Sequence, residues 1–121
     1  MSFPMTHIED QEVSRLIIGT NWFLGYSHCS RAKDAWIKEY MTPQRIAEIM
    51  GVFAREGVNA VMSSPNTTLQ EAIRIVKAET GLDLKWICTP SGEAVEDLLP
   101  GIELSAELGA TFCMPHQHWT D

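Results

Sequence analysis

The sequence predicts an α/β protein built from parallel β/α units, a partial (half) TIM barrel with four strands. The first observation is that short apolar runs at residues 16–20, 59–63, 84–88 and 111–114 alternate with helix-like stretches, a pattern that indicates a parallel sheet. The second is length, because a closed (β/α)₈ barrel takes roughly 250 residues and this chain has 121. We therefore predict one domain over residues 1–121, the amino-terminal portion of a barrel truncated after its fourth strand.

Composition and charge limit the classes of partner. The net charge of −7 argues against a nucleic-acid partner or an anionic membrane surface, since either would repel the chain before specific contacts formed. No apolar run approaches the roughly 20 residues of a membrane helix, and residues 1–10 lack the features of a signal peptide. We predict a cytoplasmic protein. Three cysteines without a C-x-x-C pair imply no disulfide framework, and Cys88 and Cys113 fit small buried strand residues.

The amino-terminal third departs from the simple β/α pattern. Residues 1–14 are polar and acidic with no clear period, which predicts a tail or a lid across the bottom of the barrel. Residues 16–20 are continuously apolar, as in a strand buried on both faces of a parallel sheet. The next connection, residues 21–41, is much longer than the usual length of about 2–6 residues, which is typical of a functional loop. Its second half, residues 31–40, predicts a short helix.

Capping residues mark the main helices. Thr42 and Pro43 predict the N-cap and first residue of the first main helix. Thr68 and Glu71 have the spacing of a capping box for the second. The third connection, residues 93–108, contains a proline–glycine pair that predicts a break between two helical segments.

Polar side chains follow each predicted strand. In parallel sheets and barrels catalytic residues gather at the carboxyl ends of the strands, because these ends share one mouth. Histidine side chains ordinarily titrate at about pH 6.5, which suits acid/base chemistry at neutral pH. We therefore predict His28 and His116 as catalytic residues. The residues predicted to contact a small-molecule substrate are Asn21, Trp22, Tyr26, Ser63, Asn66, Thr89 and His118.

The histidines also permit a metal interpretation. His116 and His118 are two residues apart, so on an extended strand they would share a face and could reach one metal ion, with His28 or Asp121 as a third ligand. If Pro115 ends the strand, the pair instead lines a polar pocket. No H-E-x-x-H pattern occurs, and we predict no bound metal.

Two further features are open to more than one interpretation. Cys29 beside His28 has the residue types of a Cys–His nucleophile, although neighbours in sequence rarely face each other productively. The aromatic side chains of residues 21–41 serve either to anchor the loop or to stack on a planar or sugar-like substrate. Neither G-x-G-x-x-G nor G-x-x-x-x-G-K occurs, so the sequence identifies no cofactor.

The run from Val13 to His28, VSRLIIGTNWFLGYSH, resembles the opening of an uncharacterised bacterial and archaeal TIM-barrel family. The likeness continues through Gly57 to the region from His116 to Asp121 and covers most of the chain. In that family the chain continues into further β/α units, which implies that this sequence is a partial product.

Residues 13–20 also resemble the first strand of aldo-keto reductases, another TIM-barrel group. Those enzymes carry an Asp and a Tyr acid after the second strand, whereas residues 62–66 contain neither. We therefore expect no NADPH chemistry from this resemblance.

These features predict the amino-terminal half of a TIM-barrel enzyme of unknown reaction, acting on a small polar, carbohydrate-like substrate with histidine acid/base chemistry. Isomerase, lyase and hydrolase reactions are equally open. One alternative is a metal-dependent hydrolase that uses His116 and His118. Another is a non-catalytic half-barrel that self-associates through the open edges of its first and fourth strands.

Overall fold

The computed structural model, which describes residues 3–117, has two sheets. The first is an antiparallel pair, β1 (Met5–Ile8) with β2 (Gln11–Ser14). The second is parallel and its four strands lie in the order in which they follow along the chain. They are β3 (Ile17–Ile18), β4 (Ala60–Ser63), β5 (Lys85–Cys88) and β6 (Phe112–Cys113). The predicted α/β class, with four parallel strands, is confirmed.

Helices fill the connections of the parallel sheet. Three lie between β3 and β4, namely α1 (Asn21–Leu24), α2 (Arg31–Tyr40) and α3 (Pro43–Arg55). Between β4 and β5 lies α4 (Thr67–Thr80), and between β5 and β6 lie a 3₁₀ turn (Val95–Asp97) and α5 (Leu98–Glu107). The predicted helix over residues 31–40 is confirmed. Within residues 3–117, no helix has both the length and the apolar character needed to cross a membrane.

The core lies between one face of the parallel sheet and the helices. Ile18, Val61 and Trp86 are register partners on three neighbouring strands. All three are buried in one cluster with Ile46 of α3 and Leu69 of α4. Because side chains alternate along a strand, the residues directly before and after each of these three point to the opposite face of the sheet.

The segment predicted as a tail or a lid is a hairpin from residue 5 to residue 14. Its tight turn holds Glu9 in the left-handed region, with φ 54°, which is uncommon for a residue other than glycine. Asn59 Oδ1 accepts from the Ser14 amide at 2.8 Å, and Asn59 Nδ2 donates to the Glu12 carbonyl at 2.9 Å. The hairpin is therefore fastened at the amino-terminal end of β4. The sequence did not show it because its turn lacks the Asn-Gly or Asp-Gly pair that usually marks a hairpin.

Thr42 caps α3 as predicted, whereas the start of α4 differs from the prediction. The N-cap of α4 is Asn66, whose Oδ1 accepts from the Leu69 amide at 3.0 Å. Thr68 therefore lies inside the helix, and Glu71 accepts from Arg74 Nε at 2.9 Å instead of closing a capping box.

The third connection is not interrupted where the proline–glycine pair occurs. Pro100 is the third residue of α5, where an amide hydrogen has no acceptor within the helix, so proline removes no helical hydrogen bond. Cys88 is buried as expected, and burial raises the pKa of its thiol. Cys113 is exposed, contrary to expectation, because β6 is an edge strand.

Candidate functional site

A groove of about 1090 Å³ opens at the carboxyl ends of the four parallel strands. All four strands contribute, because parallel strands end on the same side of a sheet. Seven of the nine residues predicted for the site line this groove. They are Asn21, Trp22, Tyr26, His28, Ser63, Thr89 and His116.

Of the two other predicted residues, Asn66 is not among those that line the groove. Asn66 is at the start of α4, and its side-chain oxygen accepts from the Leu69 amide as the helix cap. Asn66 is therefore a helix cap, whereas the sequence predicted it to contact the substrate. His118 lies outside the described residues, as does Asp121 of the proposed metal set.

One rim of the groove, which we call the first rim, consists of residues 21–28 directly after β3. Asn21 Nδ2 and His28 Nε2 lie 3.3 Å apart, so the two predicted residues are in hydrogen-bond contact. His28 adopts φ 60°, a left-handed conformation. Such a conformation costs a non-glycine residue about 1–2 kcal/mol, so surrounding contacts must hold it in place. The imidazole is consequently held on the groove side next to Asn21.

The contacts that hold the first rim come from α1 and α2. Gly25 ends α1 with φ 85°, and Phe23 and Leu24 are buried beneath it. The Asp34 carboxylate accepts from the Ser27 amide at 2.8 Å and from the Ser27 hydroxyl at 2.6 Å. These two hydrogen bonds from Ser27 hold the pKa of Asp34 below its ordinary value. The segment before His28 is thus fixed by a charged acceptor on α2.

Trp22 and Tyr26 present exposed rings beside the groove, at 50% and 48% exposure. Lys33 Nζ lies 5.4 Å from the centre of the Trp22 ring, and Lys38 Nζ lies 5.9 Å from that of Tyr26. These cation–π contacts restrain both rings while leaving much of each accessible. Phe23 is buried and anchors this segment to the core. The rings of Trp22 and Tyr26 are not needed for that role, and they are accessible for stacking.

The floor of the groove is formed by the ends of β4 and β5. Ser63 is buried, accepts from Trp86 Nε1 at 2.9 Å and donates to the Ser64 carbonyl at 2.8 Å. The Ser63 hydroxyl therefore uses its hydrogen and one acceptor position in contacts within the protein. Directly before the first rim, the Thr20 hydroxyl donates to the Met62 carbonyl at 2.8 Å, which joins the start of this rim to β4.

The opposite rim, which we call the second rim, consists of residues 114–117 after β6. Met114 N donates to the Cys88 carbonyl at 2.8 Å, and His116 N donates to the Pro90 carbonyl at 3.0 Å. The backbone of this rim therefore continues alongside the segment that follows β5, and His116 reaches the groove from this side.

Among the described residues that line the groove there is no Asp, Glu, Lys or Arg, and their titratable side chains are His28, His116 and the Tyr26 phenol. Within residues 3–117, no cluster of three or more His, Cys, Asp or Glu side chains could hold a metal ion. The Cys29 thiol donates to the Ser27 carbonyl, with 3.5 Å between Sγ and O, so no contact supports a Cys–His nucleophile.

Met114 and Gln117 line the groove but were not predicted as site residues. Ser64 and Ser91 also line it; Ser64 directly follows β4 and Ser91 lies three residues after β5, so the strand-end rule does indicate both as candidates. Comparison of the chain with models of known protein families, with curated proteins and with solved structures found no match.

Proposed function

We propose that the parallel sheet is one half of a (β/α)₈ barrel and that the groove at its mouth binds a small, neutral, hydroxylated compound. In this proposal His28 and His116 exchange protons with the compound. Asn21 orients His28, while Trp22 and Tyr26 cover one side of the compound. The protein is then an enzyme of the isomerase, lyase or hydrolase type.

The half-barrel is supported by strand order and helix placement. Doubly wound sheets reverse their strand order and carry helices on both faces. Here the order follows the chain without reversal, and α3 and α4 pack on one face with Val61. Ser105 of α5 is buried, and Leu108 at the end of α5 packs against the same core cluster. A sheet with its strand-connecting helices α3, α4 and α5 on one face curves toward closure, as in a barrel.

The observation that carries the ligand class is the charge of the lining. Tight binding of an anionic phosphate or carboxylate ordinarily uses Lys, Arg or a metal ion, and the described lining has neither basic residue. Hydroxyl groups need neutral donors and acceptors, which Asn21, Thr89 and Ser91 provide. Exposed aromatic rings can cover the apolar faces of sugar-like molecules.

Acid/base chemistry follows from the two imidazoles. They enter from opposite rims, because His28 follows the first strand of the sheet and His116 follows the fourth. A compound between them would meet one imidazole on each side. A histidine positioned in this way contributes about 10²–10⁴-fold to proton transfer.

Binding is tested with three neutral probes, glycerol, D-xylose and dihydroxyacetone, with ring-proton NMR signals of the histidines as the readout. We expect at least one probe to shift the signals of His28 and His116 while leaving His7, which lies on the hairpin, unchanged. Asn21→Ala should weaken binding about tenfold, a loss of about 1.4 kcal/mol. Tighter binding of glycerol 3-phosphate than of glycerol would contradict the neutral class.

Proton transfer is tested separately, by deuterium incorporation from D₂O into dihydroxyacetone. We expect exchange at a carbon beside the carbonyl to be accelerated by the protein and slowed about 100-fold or more by His28→Gln or His116→Gln. His7→Gln is the matched control and should have no effect. Exchange that persists in the double variant H28Q/H116Q would show that these histidines do not move the proton.

A further inference from the structure

Two of the three cysteines lie side by side at the carboxyl ends of β5 and β6. Cys88 and Cys113 are register partners on these parallel strands, although the whole of α5 separates them in sequence. The Met114 amide donates to the Cys88 carbonyl at 2.8 Å, which holds the two strands together just beyond the pair. Because register partners on parallel strands project from the same face of the sheet, the two cysteine side chains are neighbours.

The spacing of the strands suits a disulfide bond between this pair. Neighbouring strands lie about 4.7–4.9 Å apart, and the two Cα atoms of a disulfide are usually about 4.4–6.8 Å apart. The two thiols also influence each other, since burial raises the pKa of the Cys88 thiol and Cys113 adds a smaller increase. The register holds whatever lies on the other side of β6, so this geometry does not require β6 to be an edge strand.

The two thiols differ in their access to solvent. Cys113 is exposed, whereas Cys88 is buried in the core cluster. A small oxidant in solution therefore reaches the Cys113 sulfur first, and the buried Cys88 thiol reacts with its neighbour and not with the solvent. An accessible cysteine next to a second cysteine that completes a disulfide is an arrangement found in redox sensors.

We propose that Cys88 and Cys113 form a reversible disulfide on reaction with hydrogen peroxide, and that this bond ties the second rim to β5. Met114 of the second rim directly follows Cys113. On the other strand, Thr89 of the groove lining directly follows Cys88. The bond therefore acts at the base of the second rim. This inference goes beyond the proposed function, because the disulfide forms whether or not the groove binds a ligand.

The oxidation consumes one peroxide molecule and two thiols. The Cys113 thiolate attacks one peroxide oxygen and the O–O bond breaks, which leaves a sulfenic acid on Cys113 and releases hydroxide that takes up the thiol proton to form water. The Cys88 sulfur then attacks the Cys113 sulfur. The S–S bond forms, the S–O bond breaks, and the departing hydroxide takes up the Cys88 proton to form a second water. The two sulfurs together lose two electrons, which the peroxide gains.

The bond is tested by treating the full chain with a small excess of hydrogen peroxide and analysing its mass and its peptides. Trypsin leaves both cysteines in one peptide, because no Lys or Arg lies between them, whereas cleavage after Glu93 and Glu107 separates them. We expect a single chain that is lighter by two hydrogen atoms, with the two peptides joined until dithiothreitol reduces the bond. A gain of oxygen on Cys113 without joined peptides would overturn the proposal.

Two variants make the test specific. Cys113→Ser removes the exposed partner and should keep a free Cys88 thiol with no joined peptides. Cys29→Ser removes the third cysteine, which is exposed directly after the first rim, and should form the disulfide as readily as the unmodified protein. Loss of the disulfide in Cys29→Ser would overturn the pairing. Both substitutions are at exposed positions, and circular dichroism establishes that each variant is folded; if Cys113→Ser does not fold, the peptides of the unmodified protein decide the matter in the same two directions.

The effect on the second rim is measured by amide hydrogen exchange of the reduced and the oxidised protein. The covalent bond blocks openings that separate β6 from β5, so we expect the Met114 and His116 amides to exchange about tenfold more slowly after oxidation. The Tyr26 amide, which donates to the Asn21 carbonyl at 2.8 Å in the first rim, is the control and should not change. Unchanged exchange at Met114, or equal slowing at Tyr26, would overturn the link between the disulfide and the second rim.

Discussion

The two rims of the groove hold a histidine in different ways. In the first rim, His28 sits in a left-handed conformation, and the segment before it is held by a glycine turn and by the Asp34 carboxylate. In the second rim, the backbone around His116 runs alongside the segment after β5 and donates to Pro90. The first rim therefore depends on particular side chains, and the second on the path of the backbone after a strand.

This difference shows how a βα loop is positioned when its length exceeds that of an ordinary connection. A short extension of a strand inherits its position from the neighbouring strand. A long connection must build its own support, which here consists of α1, α2 and the contact between Ser27 and Asp34. Substitutions with the same chemistry should consequently have unequal effects on the two rims.

The largest expected effect is that of Gly25→Ala in the first rim. Gly25 has φ 85°, and a Cβ there would lie 2.7 Å from two carbons of the Lys38 side chain and 3.1 Å from the Asp34 carbonyl. We expect a loss of roughly 2–3 kcal/mol in the free energy of unfolding, from backbone strain together with overpacking. Urea denaturation measures it.

The control for Gly25 is Gly81→Ala at the end of α4. Gly81 has φ 74° but no atom within 4 Å of an added Cβ, so it isolates the backbone strain of about 1 kcal/mol. Equal losses for the two variants would show that Lys38 and the Asp34 backbone do not confine the turn. The first rim would then be no more tightly built than an ordinary helix end.

A smaller effect is expected from Asp34→Ala, through the pH dependence of stability. The Ser27 hydroxyl and amide lower the pKa of Asp34 in the folded protein. A carboxyl with a lowered folded pKa adds stability above its ordinary pKa of about 3.9, and this stability is lost as the pH falls through the folded value. The unmodified protein should therefore lose more stability in acid than Asp34→Ala does.

Thermal unfolding between pH 6 and pH 2 measures this difference. Glu39→Ala, on the same helix, is the control and should keep the acid sensitivity of the unmodified protein. If Asp34→Ala also keeps it, the contact with Ser27 does not stabilise the first rim.

The arrangement of the parallel sheet could be predicted from the sequence, because each strand is a short apolar run between helical segments. Thr42 and Pro43 mark the start of α3 without help from tertiary structure. The hairpin could not be predicted in this way, since its support comes from Asn59, which is 45 residues from Ser14 in sequence.

The residues of the candidate site likewise include some that the sequence predicts and some that only the folded structure identifies. The rule that strand ends share one mouth was sufficient to place Asn21, His28 and His116 at one groove. The rule could not separate Asn66, because asparagine after a strand serves equally as a helix cap or a ligand contact. Nor could it show that Asp34 supports the first rim, since that contact depends on how α2 folds back on α1.

The smallest expected effect is the difference in stability between the glycine and alanine variants of each histidine. His28→Gly and His28→Ala both remove the imidazole, but only alanine retains a Cβ in the left-handed conformation at φ 60°. We expect the glycine variant to be the more stable of the two by about 1 kcal/mol. At His116, which is not among the described residues with positive φ, the order should reverse, because glycine gives the unfolded chain more conformational entropy. Urea denaturation of the four variants measures both differences, and the same order at both positions would mean that the backbone of His28 is not strained in solution.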